Sequence, residues 1–196
     1  MKYLFLISFF IYTHSVASPC AKNLGKAWTQ GASLKGNFVA SGTTSIARLW
    51  SKSEEGASRA DQSYPGAVSI ETANTCNVVR KGKTNSTGSI VPFGELSMTK
   101  LEFKSGVDFI LVKSSTFLNS INTESHLFKY FGGDKLEVVW TGVSFSQSPS
   151  GKIYSDVVLS AVKDSKLPKI KYTDRASNTS ETFIWSNSKE SFVKAN

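Results

Sequence analysis

The chain has 196 residues, of which 40% are hydrophobic, and its 23 Lys and Arg outnumber 15 Asp and Glu to give a formal charge of +8. That length suits one domain that buries a sizeable core without several disulfides or a structural metal. Two histidines exclude a histidine-rich zinc site, and the charge favours anionic partners over acidic-cation chemistry.

The N-terminus pairs Lys2 with the uncharged run YLFLISFFIY and then places small residues at Ser15 and Ala17. This is the layout of a secretory signal peptide over residues 1–17, cut after Ala17. The run falls short of the roughly 20 apolar residues a membrane span needs, and no later stretch qualifies, so no transmembrane segment is expected. Pro19 before Cys20 argues against lipidation, which wants a small residue there. The remainder, 18–196, reads as a single β-rich domain. In an oxidising compartment its two cysteines, Cys20 and Cys76, form one disulfide.

Short apolar alternations follow: SLKGNFVA (33–40), SIARLW (45–50), AVSIET (67–72) and CNVV (76–79) read as strands. Between them, the polar stretch 51–66 reads as a surface loop, and Asn85-Ser86-Thr87-Gly88 is turn chemistry. KLEFK sets Leu101 and Phe103 against Lys100, Glu102 and Lys104, the period-two mark of an antiparallel strand with one wet face. VDFILV (107–112) is continuously apolar apart from Asp108 and reads as a central strand. NTESHLFKYFGG (122–133) offers Asn122 or Thr123 as a cap, Leu127, Phe128 and Phe131 on one helical face, and two glycines as a stop. One short helix is therefore expected near 122–131. LEVVWTGV sets Leu136, Val138 and Trp140 against Glu137, Val139 and Thr141. IYSDVVLSAV (153–162) reads as another central strand, interrupted by Asp156. KIKY alternates Ile170 and Tyr172 with Lys169 and Lys171, and FIW (183–185) reads as the last strand. Many strands with such turns imply a mainly β fold, a single antiparallel β-sandwich (Ig-like) or a barrel.

The chemistry on offer points away from catalysis. After removal of the leader only His126 remains as a histidine, and paired cysteines leave no thiol nucleophile. The carboxylates show no paired spacing, with Asp108 and Asp156 standing out only because each interrupts an apolar strand. No glycine loop cradles a phosphate, no aromatic-interleaved RNA motif occurs, and no metal, cofactor or nucleic acid is expected. The sequons at Asn85 and Asn178 matter only in a eukaryotic secretory pathway. Lys152, Lys163, Lys166, Lys169, Lys171 and Arg175 gather in the last third as a candidate basic binding patch for an acidic glycan or anionic surface.

SPSGKIYSDVVLSAV resembles the Pro-x-Gly-x-Tyr-x-Asp-x-Val-x-Leu strand of bacterial chaperone–usher fimbrial subunits. Cys20, third in the mature chain, resembles the first cysteine of fimbrial tip-adhesin domains, and ETFIWSN (181–187) is similar to their last strand. The resemblance implies an adhesion subunit acting by binding and assembly, with a periplasmic chaperone, an usher and other subunits as partners. Only Ser18 and Pro19 precede Cys20, which leaves no arm to donate and favours a terminal or accessory subunit. FILVKSSTFLNSINTESHL is similar to the core of the periplasmic polyisoprenoid-binding β-barrels. That alternative implies a carrier with Phe109, Leu111, Phe117, Phe128 and Trp140 lining a tunnel for an apolar ligand. A basic secreted effector is a further alternative.

Overall fold

A computed structural model describes residues 18–52, 66–73, 75–81, 96–117 and 120–195. The expected signal peptide, most of the 51–66 loop, the turn at 85–88 with its sequon and the side chain of Phe117 lie outside the described residues. Cys20 opens a single helical turn, α1 (Ala21–Leu24), and every other element is a strand. Four form one antiparallel meander: β1 (Trp28–Ala40), β2 (Thr43–Lys52), β3 (Gly66–Thr72) and β4 (Thr75–Lys81). The second sheet begins with β5 (Leu96–Glu102), β6 (Asp108–Phe117), β7 (Ile121–Gly132) and β8 (Lys135–Gln147). It continues in sequence order through β9 (Ile153–Ala161), β10 (Lys169–Asp174), β11 (Thr179–Ser186) and β12 (Ser191–Lys194). The architecture is a mainly β, sandwich-type fold of two sheets. Because β5 and β12 remain edges it is not a closed barrel, and the sequential order lacks the crossover of an immunoglobulin Greek key.

Two cores sit on opposite faces of β5–β8. On one face Met98, Ile110, Val112, Phe128, Tyr130 and Leu136 pack against Phe38, Ala47, Leu49, Val68, Ile70 and Val78 of the four-stranded sheet. On the other, Leu101, Phe109, Leu111, Leu127, Val139 and Trp140 pack against Leu159, Ile170, Trp185 and Phe192 of β9–β12. The long sheet therefore folds back on itself, turning where β8 and β9 pair only through Phe145, Ser146 and Gln147. Aromatic edges fill this second core: Phe109 meets Trp185 at 5.8 Å and Phe192 at 5.9 Å, and Trp140 meets Phe183 at 5.8 Å. The outer face of the four-stranded sheet is covered by the N-terminal turn, where Cys20 and Leu24 pack on Trp50 and Ala67.

Burial on both faces corrects the expected helix at 122–131. That segment is the strand β7, with Ser125, His126, Leu127 and Phe128 all buried. His126 pairs with Val112 and Phe128 with Ile110, toward the first core, while Leu127 pairs with Leu111 toward the second. A strand between two cores shows no alternation, and its apolar residues fall at helical spacing by coincidence. A bulge between β7 and β8 likewise breaks the expected alternation of LEVVWTGV: Leu136 and Val138 serve one core, whereas Val139 and Trp140 both serve the other. The continuous run in β6 is a central strand as expected. In β9, Val157 and Leu159 face inward but Tyr154 and Val158 are exposed, so this strand has one wet face.

A buried polar contact helps tie the two sheets together. Asp108, buried at the start of β6, accepts the backbone N–H of Asn37 in β1 at 2.8 Å, with Lys100 Nζ at 3.9 Å. The contact depends on Gly36, because a Cβ there would stand 2.7 Å from the Asp108 carboxylate and 2.8 Å from the Phe38 ring. Neither the buried, hydrogen-bonded carboxylate nor the buried ring can give way cheaply. Gly36→Ala is therefore expected to cost about 1–3 kcal/mol by overpacking. Gly31→Ala on the same strand meets only a backbone oxygen at 3.4 Å and should cost much less. Urea unfolding of both variants checks this; equal losses would show that the Asp108 contact does not constrain the strand.

Candidate functional site

Cys20 and Cys76 are disulfide-bonded, closing a separation of 56 residues. The chain-entropy model puts that constraint at about 4 kcal/mol. The bond pins α1 beside a buried polar cluster in which Arg48 Nε donates to Glu71 Oε1 at 2.7 Å and Ser18 Oγ donates to the same oxygen. Removing one charge of that pair would leave the other buried and unpaired, so the cluster holds structure and offers no free reactive group.

The two acids that interrupt apolar strands have different fates. Asp108 is consumed by the link between sheets. Asp156 is solvent-facing, 3.9 Å from Arg175. A third acid, Asp174, is the one that is networked. It accepts N–H groups of Asp156 at 3.0 Å and Ala176 at 2.9 Å, and hydroxyls of Ser177 at 3.0 Å and Ser155 at 3.4 Å. Its carboxyl lies below the ordinary range, chiefly because the Asp156 N–H stabilises the anion. The sequence signal for it was the Asp-Arg-Ala-Ser turn, in which an aspartate binds the backbone two residues on.

His126 is buried between Val112 and Thr141, and neither ring nitrogen has a hydrogen-bond partner. Nε2 lies 3.5 Å from the exposed Glu124 carboxylate, a contact that becomes an ion pair only on protonation. Burial lowers its pKa below 6.5 and Glu124 offsets this in part. The neighbouring Ser125 and Thr141 hydroxyls do not hydrogen-bond either ring nitrogen, so the arrangement is that of a packed histidine. Among the described residues no three His, Cys, Asp or Glu side chains converge on a metal site, and no helix is long and apolar enough to cross a membrane.

The six candidate basic residues do not form one patch. Lys169 and Lys171 alternate with inward Ile170 and Tyr172, so they stand on the outer face of β10. Lys163 and Lys166 lie in the β9–β10 connection, at the Lys169 end of that strand. Lys152 and Arg175 belong to the opposite end, where the Arg175 N–H reaches the Asp156 carbonyl and Lys152 covers the Tyr154 ring. Among the described residues Lys163, Lys166, Lys169 and Lys171 make no ion pair within 4.0 Å.

Beside this lysine-bearing end runs an open groove of about 600 Å³ between β7, the β9–β10 connection and the end of β11. Lys166 and Leu167 form one lip and Lys129 of β7 rises from the floor. Lys129 Nζ sits 3.9 Å from the centre of the Phe131 ring, 5.4 Å from Trp185 and 6.0 Å from Phe109. Among the described residues it has no ion-pair partner, since the nearby Glu190 bonds Lys135 at 2.7 Å. Burial lowers the Lys129 pKa, Glu190 opposes that shift and Lys135 adds to it. Sequence reasoning missed this lysine because it lies in the segment read as a helix.

The proposed tunnel residues separate: Phe109, Leu111 and Trp140 belong to one core and Phe128 to the other. No protein-family model, curated protein or solved structure matches the chain.

The buried His126 makes a pH prediction. Its folded-state pKa is depressed, so the unfolded chain takes up the proton first. Stability should be full above about pH 6.5 and decline below it. His126→Leu should remove that part of the decline. Parallel pH profiles of wild type and variant between about pH 7 and pH 5 would contradict the assignment.

Proposed function

We propose that the protein is an exported adhesion-type subunit that works by binding, without catalysis, and that its β9–β10 lysine end meets an anionic surface or acidic glycan. The observation that carries this reading is the set of four lysines, Lys163, Lys166, Lys169 and Lys171, gathered at one end of β10, none of them in an ion pair within 4.0 Å among the described residues, with Glu102 only in the wider field of Lys163. Unpaired like charges repel one another and persist at no structural gain, whereas a polyanion converts them into attraction and releases counterions. The leader-like N-terminus and the Cys20–Cys76 bond support export to an oxidising compartment. The fimbrial resemblance adds a chaperone, an usher and sister subunits as partners, which would pair with an open sheet edge such as β1 or β12.

Elution from immobilised heparin tests the surface. A variant carrying Lys163→Glu, Lys169→Glu and Lys171→Glu should leave the column at distinctly lower salt than wild type. A control carrying Lys22→Glu, Lys26→Glu and Lys35→Glu changes net charge equally on exposed positions elsewhere. It should shift little. Equal shifts would mean that only net charge is read.

A further inference from the structure

We infer that the groove beside Lys129 is a binding site for one carboxylate-bearing pyranose unit of an acidic glycan; this rests on the reading of the lysine end as an anion-binding surface. Lys129 stands over three aromatic rings on the groove's inner side. A half-buried ammonium without a counter-ion is held at a cost that ring quadrupoles offset only in part. Among the described residues the carboxylate that acts on it, on Glu190, is already committed to Lys135. A ligand carboxylate entering the groove would supply the missing partner. Lys166, also without an ion pair among the described residues, lines the same space and gives a second charge.

The rest of the lining suits a sugar ring better than a hydrocarbon chain. Leu167, 46% exposed, together with Val39 and Pro168 offers an apolar wall for the C–H face of a pyranose. Ser105 and Asn187 offer polar groups for its hydroxyl edge. Asn187 is oriented by the Trp185 indole, whose Nε1 donates to its Oδ1 at 2.8 Å, which leaves the amide N–H groups as donors. The volume falls in the range of roughly 300–1,000 Å³ usual for small-ligand sites, and the open shape admits one unit of a longer chain. Glu190 acts as an internal competitor. It holds Lys135 over the Phe131 ring at 4.7 Å and draws on the field of Lys129. Its backbone has φ 48, a conformation that favours glycine, so a side chain is retained there against a local penalty.

The test is titration of the disulfide-intact mature chain with tri-galacturonate, followed by calorimetry and by NMR shifts of the Trp185 indole. Wild type should bind, and neutral galactotriose should bind at least several-fold more weakly. Lys129→Met keeps the side-chain stem and should lose about tenfold in affinity, the scale of one charge-assisted contact. If that variant fails to fold, Lys166→Met on the exposed lip reads the same loss. Glu190→Gln should bind tighter than wild type. The proposal is overturned by no binding of tri-galacturonate at millimolar concentration or by equal affinity for the neutral trimer. Unchanged affinity in the lysine variants, or tighter binding of glycerol phosphate, would overturn it too. Failure here with the heparin difference intact removes the groove alone. Tri-galacturonate binding without that difference removes the surface reading and keeps the groove.

Discussion

Everything in this fold hangs on the layer β5–β8, whose central strand β6 is buried on both faces. Phe109, Ile110, Leu111 and Val112 are consecutive in β6 and all buried, two toward each core. Each such side chain contributes about 2 kcal/mol on burial, so this short run alone outweighs any ion pair in the molecule. The four-stranded sheet and the folded-back β9–β12 are held by their separate contacts with that layer. Asp108 adds direction to the hydrophobic attraction by fixing β1 over the start of β6. The Arg80–Glu137 pair, at 2.9 Å between β4 and β8, is half exposed and adds little beyond orientation.

This layer also explains which parts of the fold were legible in the sequence. Strands with one wet face could be read directly: Leu101 and Phe103 share a core, as do Ile170 and Tyr172, while Glu102 and Lys171 between them point out. The cysteine pair was legible because two thiols admit one bond. The central strands were harder, since burial on both faces erases the period-two signal. In β6 the continuous run was still short and β-branched enough to read as a strand. In β7 the polar start and terminal glycines imitated helix punctuation, and the segment was misread. The bulge opposite Leu127 and Phe128 had no sequence mark at all. Four-residue elements, α1 and β12, carry too few residues for any periodicity.

The candidate site was legible in charge but not in place. Counting basic residues found Lys163, Lys166, Lys169 and Lys171 together with Lys152 and Arg175. Only the register of β9 and β10 separates these last two from the rest. Lys129 had no signature, because an isolated lysine in an apolar run reads as the wet face of a helix. Its significance lies in three aromatic rings brought from β6, β7 and β11, and in a carboxylate on the β11–β12 turn that serves Lys135 instead. The groove thus forms where the folded-back strands approach the central layer, with Phe109 and Lys129 of that layer in its lining. Preorganised cations of this kind favour binding, because little side-chain freedom is left to lose.

The most direct measurement of this account is native-state hydrogen exchange resolved by residue. If β5–β8 is the layer on which both cores depend, the amides of Ile110, Leu111, Val112, Leu127 and Phe128 will exchange only through global unfolding and will be the slowest of all. Those of β12 and the start of β1 will open locally and faster. Slower exchange in β10 and β11 than in β6 and β7, or release of the central amides by local opening, would contradict it.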